Sequence, residues 1–156
     1  MANRGYVANL KAFALTTTPK TAIYLVASAT DPMTIPEFSV SADSAVSVLV
    51  EICESTAAGA GTAGTAPTVK QVTGFAGTDS LTPSTTVTGS YSVEPTVLTL
   101  LKPWIFTGPG PFVIQFPLGR EVESLVSGAT KYKALALRLS TLSGTTNFYG
   151  YVHFEE

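Results

Sequence analysis

Apolar positions in this chain recur mostly with a period of two. Across residues 45–53, Val46, Val48, Val50 and Ile52 share one side, and Ala45, Ser47, Leu49, Glu51 and Cys53 share the other. That is the pattern of a strand with one face in a core. A slip of one residue would turn four branched side chains the wrong way, so register here is strongly specified. Residues 35–41 alternate likewise, Phe38 and Val40 against Glu37, Ser39 and Ser41, and Pro36 places the start of this strand on a sheet edge or at its first position. The unbroken run 22–27 (Ala-Ile-Tyr-Leu-Val-Ala) reads as a buried strand. Residues 93–101, 112–116, 134–140 and 147–154 complete the series. In the last, Phe148, Val152 and Phe154 face one way and Tyr149, Tyr151 and His153 the other.

Between these runs the chain is punctuated by turn formers. Thr107-Gly-Pro-Gly-Pro111 is a rigid turn, and residues 140–146, with Gly144, have the length of a hairpin connection. Residues 55–67 are nearly all Gly, Ala and Thr; such a segment buries little and has high backbone entropy, which predicts a mobile exposed loop. Residues 68–92 hold only weak strands and loops. No stretch carries a helical period. About eight strands joined by Gly-, Pro-, Ser- and Thr-rich turns predict an all-β fold, a single antiparallel β-sandwich of jelly-roll-like form. Residues 1–20 are expected to be an N-terminal arm or first strand, with the sandwich in 21–156.

Composition changes this picture in one respect. Charged residues are only 13% of the 156, against about 25% in an average globular chain, while Thr and Ser make up about a quarter. Mean hydropathy is +0.30 and the net charge is −2. No basic footprint for nucleic acid is present, and no apolar run reaches the ~18 residues of a membrane span. The first eleven residues contain no continuous apolar stretch, so no secretory signal is expected there. Arg4, Lys11 and Lys20 are the charges of residues 1–20, whereas residues 21–69 carry Asp31, Glu37, Asp43, Glu51 and Glu54 without a base. This asymmetry suggests a basic arm that docks on an acidic surface.

Candidate chemistry is sparse. Gly59-Ala-Gly-Thr-Ala-Gly64 matches a dinucleotide-binding spacing, but Thr-Ala-Pro follows where a helix would have to begin. His153 is the single histidine and no nucleophile elbow accompanies it; one Cys and one His offer no metal-ligand spacing. Glu121 and Glu123, and in principle Asp31 and Glu37, share a strand face as a glycosidase pair would, but they read as solvated surface acids, the first two near Arg120. Cys53 lies in an apolar run and is expected to be buried. No catalytic residue, cofactor or metal is therefore expected. The aromatic positions are more informative: Trp104, Phe106, Tyr149 and Tyr151, with His153, are candidates for an interface, because rings on both faces of the last strand imply that both are covered.

Glu94-Pro95, the stretch Phe112-Val-Ile-Gln-Phe-Pro-Leu-Gly-Arg-Glu121 and the closing Tyr151-Val-His-Phe-Glu-Glu156 resemble small β-sandwich decoration or cement proteins of tailed bacteriophages. The likeness is one of style and is strongest over about the last 60 residues. It implies a non-enzymatic virion protein, assembled in the host cytoplasm, that forms homo-oligomers, often trimers, and braces a shell of major capsid protein. A carbohydrate-binding or fibre module using Trp104, Tyr149 or Tyr151 is the alternative, and a self-assembling coat protein the third. The interface is expected at Arg4, Lys11, Lys20, Trp104, Phe106, Tyr149, Tyr151 and His153.

Overall fold

The alternating runs pair into two sheets that lie back to back. The computed structural model describes residues 4–28, 31–55, 64–73, 83, 85–89, 91–95, 98–124 and 134–156. Among them are β1 (Gly5–Leu15), β2 (Lys20–Val26), β3 (Met33–Ala42), β4 (Ser47–Ser55), β5 (Thr68–Thr73), β6 (Thr86–Gly89), β7 (Thr99–Thr107), β8 (Gly110–Gln115), β9 (Val122–Ser124), β10 (Ala134–Thr141) and β11 (Thr146–Glu155). The first sheet has the order β5-β1-β11-β3-β8, with β9 also paired to β3, and the second has the order β6-β2-β10-β4-β7. Every pair is antiparallel.

The period-two pattern fills the space between the sheets. Tyr6, Phe38, Val40, Phe148, Val152 and Phe154 enter it from the first sheet, and Ile23, Leu25, Val48, Val50, Ile52, Leu135 and Leu139 from the second. All are buried, and burying each such side chain contributes about 1.5–3 kcal/mol. Tyr6 stacks on Phe154 with ring centroids 5.4 Å apart. Along the flank where β7 and β8 run, Trp104 lies 5.4 Å from Phe38 and 6.1 Å from Phe116, and the Lys102 ammonium sits 4.7 Å above the Phe116 ring. These rings close the gap between the two edge strands.

Several expectations need correction. Of the two readings of residues 1–20, arm or first strand, Gly5–Leu15 takes the second: it is an interior strand, paired to β11 on one side and β5 on the other. Its residues Tyr6, Ala8, Leu10 and Leu15 are buried, and that burial outweighs any gain from leaving the segment free. Among the described residues eleven strands stand where about eight were expected; β5 and β6 fall in the 68–92 stretch read as weak strands and loops, and β9 was not foreseen. Pro36 stands inside β3, a strand with neighbours on both sides, where the β11 register shifts and the β9 pairing gives way to the β8 pairing; a bulge tolerates the missing donor as an edge would. Lys102-Pro-Trp-Ile-Phe106 belongs to strand β7, whereas the sequence placed the strand at 93–101. Most of the Gly/Ala/Thr segment and of the 59–64 glycine motif lies outside the described residues.

A candidate interaction surface

Register places the outward side chains of the first sheet in rows across five strands. One row reads Val113, Ser39, Tyr151, Asn9, Thr68 and the next reads Gln115, Glu37, His153, Val7, Lys70. Beyond the second row lie Glu123, Thr34 and Glu155; beyond the first, Pro111, Ser41 and Tyr149. This face is polar, aromatic at its centre, and acidic towards β3 and β9.

The Glu37 carboxylate organises its middle. Tyr151 Oη donates to Glu37 Oε1, and Gln115 Nε2 donates to Oε2. The hydrogen bond from Tyr151, then that from Gln115, holds the Glu37 carboxyl below its ordinary range, while the same Glu37 contact pushes the Tyr151 phenol up to about 12. His153 stands directly across from Glu37 in register, with Nε2 3.9 Å from Glu155 Oε1. At the other end of β11, Asp43 accepts from Thr146 Oγ1 at 2.8 Å, Asn147 N at 3.0 Å and Asn147 Nδ2 at 2.7 Å. These bonds, the Asn147 side chain first, hold the Asp43 carboxyl below its ordinary value. The ends of the central strand are thereby fixed by short polar contacts, and Tyr149 and Tyr151 are presented from a rigid ladder.

The second sheet presents a different outer face. Part of it is covered by a strap of the chain's own residues 91–95 and 98: Tyr91 meets Tyr24 edge-on at 5.8 Å, and Tyr91 and Leu98 pack over Cys53, Ala134 and Ala136. Glu94 Oε2 accepts the Thr21 N–H at 2.7 Å and pins the strap. Burial beneath it raises the Cys53 thiol. Next to the strap, Arg138 Nε donates to Glu51 Oε2 at 2.8 Å. Burial works against the Arg138 charge, but the Glu51 carboxylate outweighs it and holds the guanidinium above its ordinary value. Past this pair the sheet is open, and the register brings together Ile105, Leu49 and Ser140, then Thr107 and Ser47 with Leu142, whose N–H donates to the Ser47 carbonyl at 2.8 Å.

Comparison with protein-family models, curated proteins and solved structures finds no match. The site is therefore argued from its geometry. Of the eight residues expected at an interface, Tyr149, Tyr151 and His153 share the outer face of the first sheet. Phe106 does not belong there: it is buried and stacked on Phe112 at 5.2 Å. Trp104 is half-buried between Phe38 and Phe116, because alternation along β7 turns positions 104 and 106 inward together. Arg4 is exposed at one end of β1, the backbone of Lys11 lies at a bulge in that strand, and Lys20 opens β2 in the other sheet with its ammonium 5.9 Å over Phe13. Arg4 and Lys20 therefore lie on different sheets. Sequence reasoning missed Gln115, the Glu51–Arg138 pair, and the outward set Leu49, Ile105 and Leu142. The signal for Ile105 was present, since a residue between two core aromatics in a strand must face outward.

Proposed function

We propose that this chain is a non-enzymatic virion structural protein that decorates or cements a bacteriophage capsid as a homo-oligomer, and that its sandwich is a jelly roll. The strand order carries the reading. The long strands β1, β3, β8 and β11 lie in one sheet as 1-11-3-8, and β2, β4, β7 and β10 in the other as 2-10-4-7. That arrangement supports two Greek keys wrapped together, an architecture that recurs in viral capsid and lectin domains. In this reading β5, β6 and the strap residues 91–95 are an excursion between β4 and β7, and β9 one between β8 and β10.

Of the capsid and lectin alternatives, the ring positions support the first. A sugar platform needs an open aromatic face, yet both neighbours of Trp104 are aromatic rings of the core flank, and the Tyr151 hydroxyl is committed to Glu37. A broad face edged by the acids Glu37, Glu123 and Glu155 instead suits a large protein partner of complementary charge. The major capsid protein would meet the polar face of the first sheet, and the protein would reside in the virion. The test is co-sedimentation of the purified chain with shells of the encoding phage assembled without it, beside a glycan array. Saturable shell binding that Tyr149→Ala weakens is expected; no binding to shells, or sugar binding that Tyr149→Ala abolishes, would overturn the proposal.

A further inference from the structure

The two outer faces differ in what a second copy of the chain would meet on them. On the first sheet, Glu37, Glu123 and Glu155 outnumber Lys70 as fixed charges, so two copies placed face to face there set acids against acids. Among the described residues on the open half of the second sheet the charges are Glu51 and Arg138, and they neutralise each other at 2.8 Å. Around them Ile105 is 61% exposed, Leu142 53% and Leu100 47%, with Leu49 half-buried between. The rim is Ser47 and Thr107, whose exposed hydroxyls bond to each other at 3.2 Å and can bond further to their own kind without the desolvation cost of ions.

Backbone geometry excludes the competing route, strand addition at the sheet edges of this flank. Gly108 N–H donates to the Val46 carbonyl and Leu142 N–H to that of Ser47, so the even positions of β4 address β7 and the odd ones β10. Phe106, Trp104 and Lys102 therefore bond to β4, and Pro103 and Ile105 turn their backbone groups to the open side. By the same alternation, with Phe116 N–H donating to the Pro36 carbonyl, Pro111 lies on the open side of β8. Each edge has a proline where an added strand would need a donor.

We infer that the open half of the second sheet's outer face, centred on Leu49, Ile105 and Leu142, is an isologous contact with a second copy of this chain. This rests on the homo-oligomer part of the function proposed above and not on its capsid part. The exposed apolar area is roughly 300–400 Å², the size that marks an interaction patch on a monomer. With its hydroxyl rim, two copies would bury about 1,000 Å² in total, the lower bound for a specific pair, which gives a dimer dissociating in the micromolar range.

Sedimentation velocity of the full chain from about 1 to about 500 μM brackets that range. The wild type is expected to pass from monomer to dimer. The Ile105→Lys/Leu142→Lys double variant and the milder Ile105→Ser should shift the midpoint upward at least tenfold with unchanged circular dichroism. Tyr149→Lys, on the opposite face, should leave it in place. A wild type that stays monomeric, a trimer, or variants that associate as the wild type does would overturn the inference. Shell binding is scored separately, so a chain that dimerises but ignores shells refutes the capsid reading alone.

Discussion

Gly150 sits at the centre of β11, between Leu10 of β1 and Val40 of β3. A Cβ there would lie 2.3 Å from the Ser39 carbonyl oxygen, 3.2 Å from the Val40 Cα and 3.3 Å from the Phe148 ring. Two of those atoms are backbone, so relief requires β11 and β3 to separate by about 1 Å, the difference between that approach and ordinary contact. Overpacking of this kind costs about 1–3 kcal/mol, and the loosened ladder loses one or two hydrogen bonds at about 0.5–1.5 kcal/mol each. The lower entropy of an unfolded chain with alanine returns about 0.4–1 kcal/mol. Gly150→Ala is therefore expected to destabilise by about 2–4 kcal/mol, a fall in Tm of roughly 5–15 °C for a chain of this size. Urea unfolding followed by near-ultraviolet circular dichroism measures it. A loss under about 0.5 kcal/mol, the level of a neutral surface substitution, would show that the two strands do not approach so closely. Because Tyr149 and Tyr151 flank this glycine, shell binding should weaken in the same variant.

Three further outcomes are expected. Arg138→Met leaves the Glu51 carboxylate, whose side chain is 10% exposed, without its partner; with Arg138 itself 30% exposed, the loss is about 1–3 kcal/mol, and adding Glu51→Leu should restore most of it in urea unfolding. Glu37 and Asp43 are held below their ordinary values of 4.5 and 3.8, so their stabilisation is complete above those values and is lost as pH falls through the lower folded values. The urea midpoint should thus decline in acid, and less so in Glu37→Gln and Asp43→Asn. Pro103→Thr restores a donor on the open edge of β7 and should raise light scattering on incubation without lowering the unfolding midpoint; unchanged scattering would count against the edge-blocking role.

Legibility followed burial. β4, β10 and β11 were readable because each sends its large apolar side chains into the core at every second position, which writes a period of two into the sequence: Val48, Val50 and Ile52; Leu135, Leu137 and Leu139; Phe148, Val152 and Phe154. β7 was misplaced because it is an edge strand whose residues 99–103 are all exposed, so solvent imposes no alternation and Pro103 mimics a turn. β1 was hidden by its bases, Arg4 and Lys11, which suggested an arm although Tyr6, Ala8 and Leu10 keep the inward period. Pairing order joins residues far apart in the chain and leaves no local trace. The candidate surface was half legible for that reason: Tyr149, Tyr151 and His153 follow from one strand, but Glu37 and Gln115 join them only through register.

The charge deficit acquires a structural meaning once the acids are placed. Of the eleven Asp and Glu residues, at least six accept hydrogen bonds among the described residues, Asp31 taking that of the Ser28 hydroxyl at 3.1 Å. Glu37 holds Tyr151 and Gln115, and Asp43 holds Thr146 and Asn147. Glu51 holds Arg138, Glu94 the Thr21 backbone, and Glu156 both Thr85 groups at 2.8 and 2.9 Å. A carboxylate bound to a ladder orders the strand ends but contributes less to the mutual repulsion that keeps copies apart than a freely solvated one. Such a chain has committed much of its small charge to positioning, and on the outer face of the first sheet Glu123 and Glu155 add to Glu37. The opposite face, neutral and apolar beyond the strap, is where association between copies costs least, whereas the acid-edged tyrosine face requires a partner of different charge. Raising the charge of the neutral face should therefore dissolve the homotypic contact, and raising that of the tyrosine face should not.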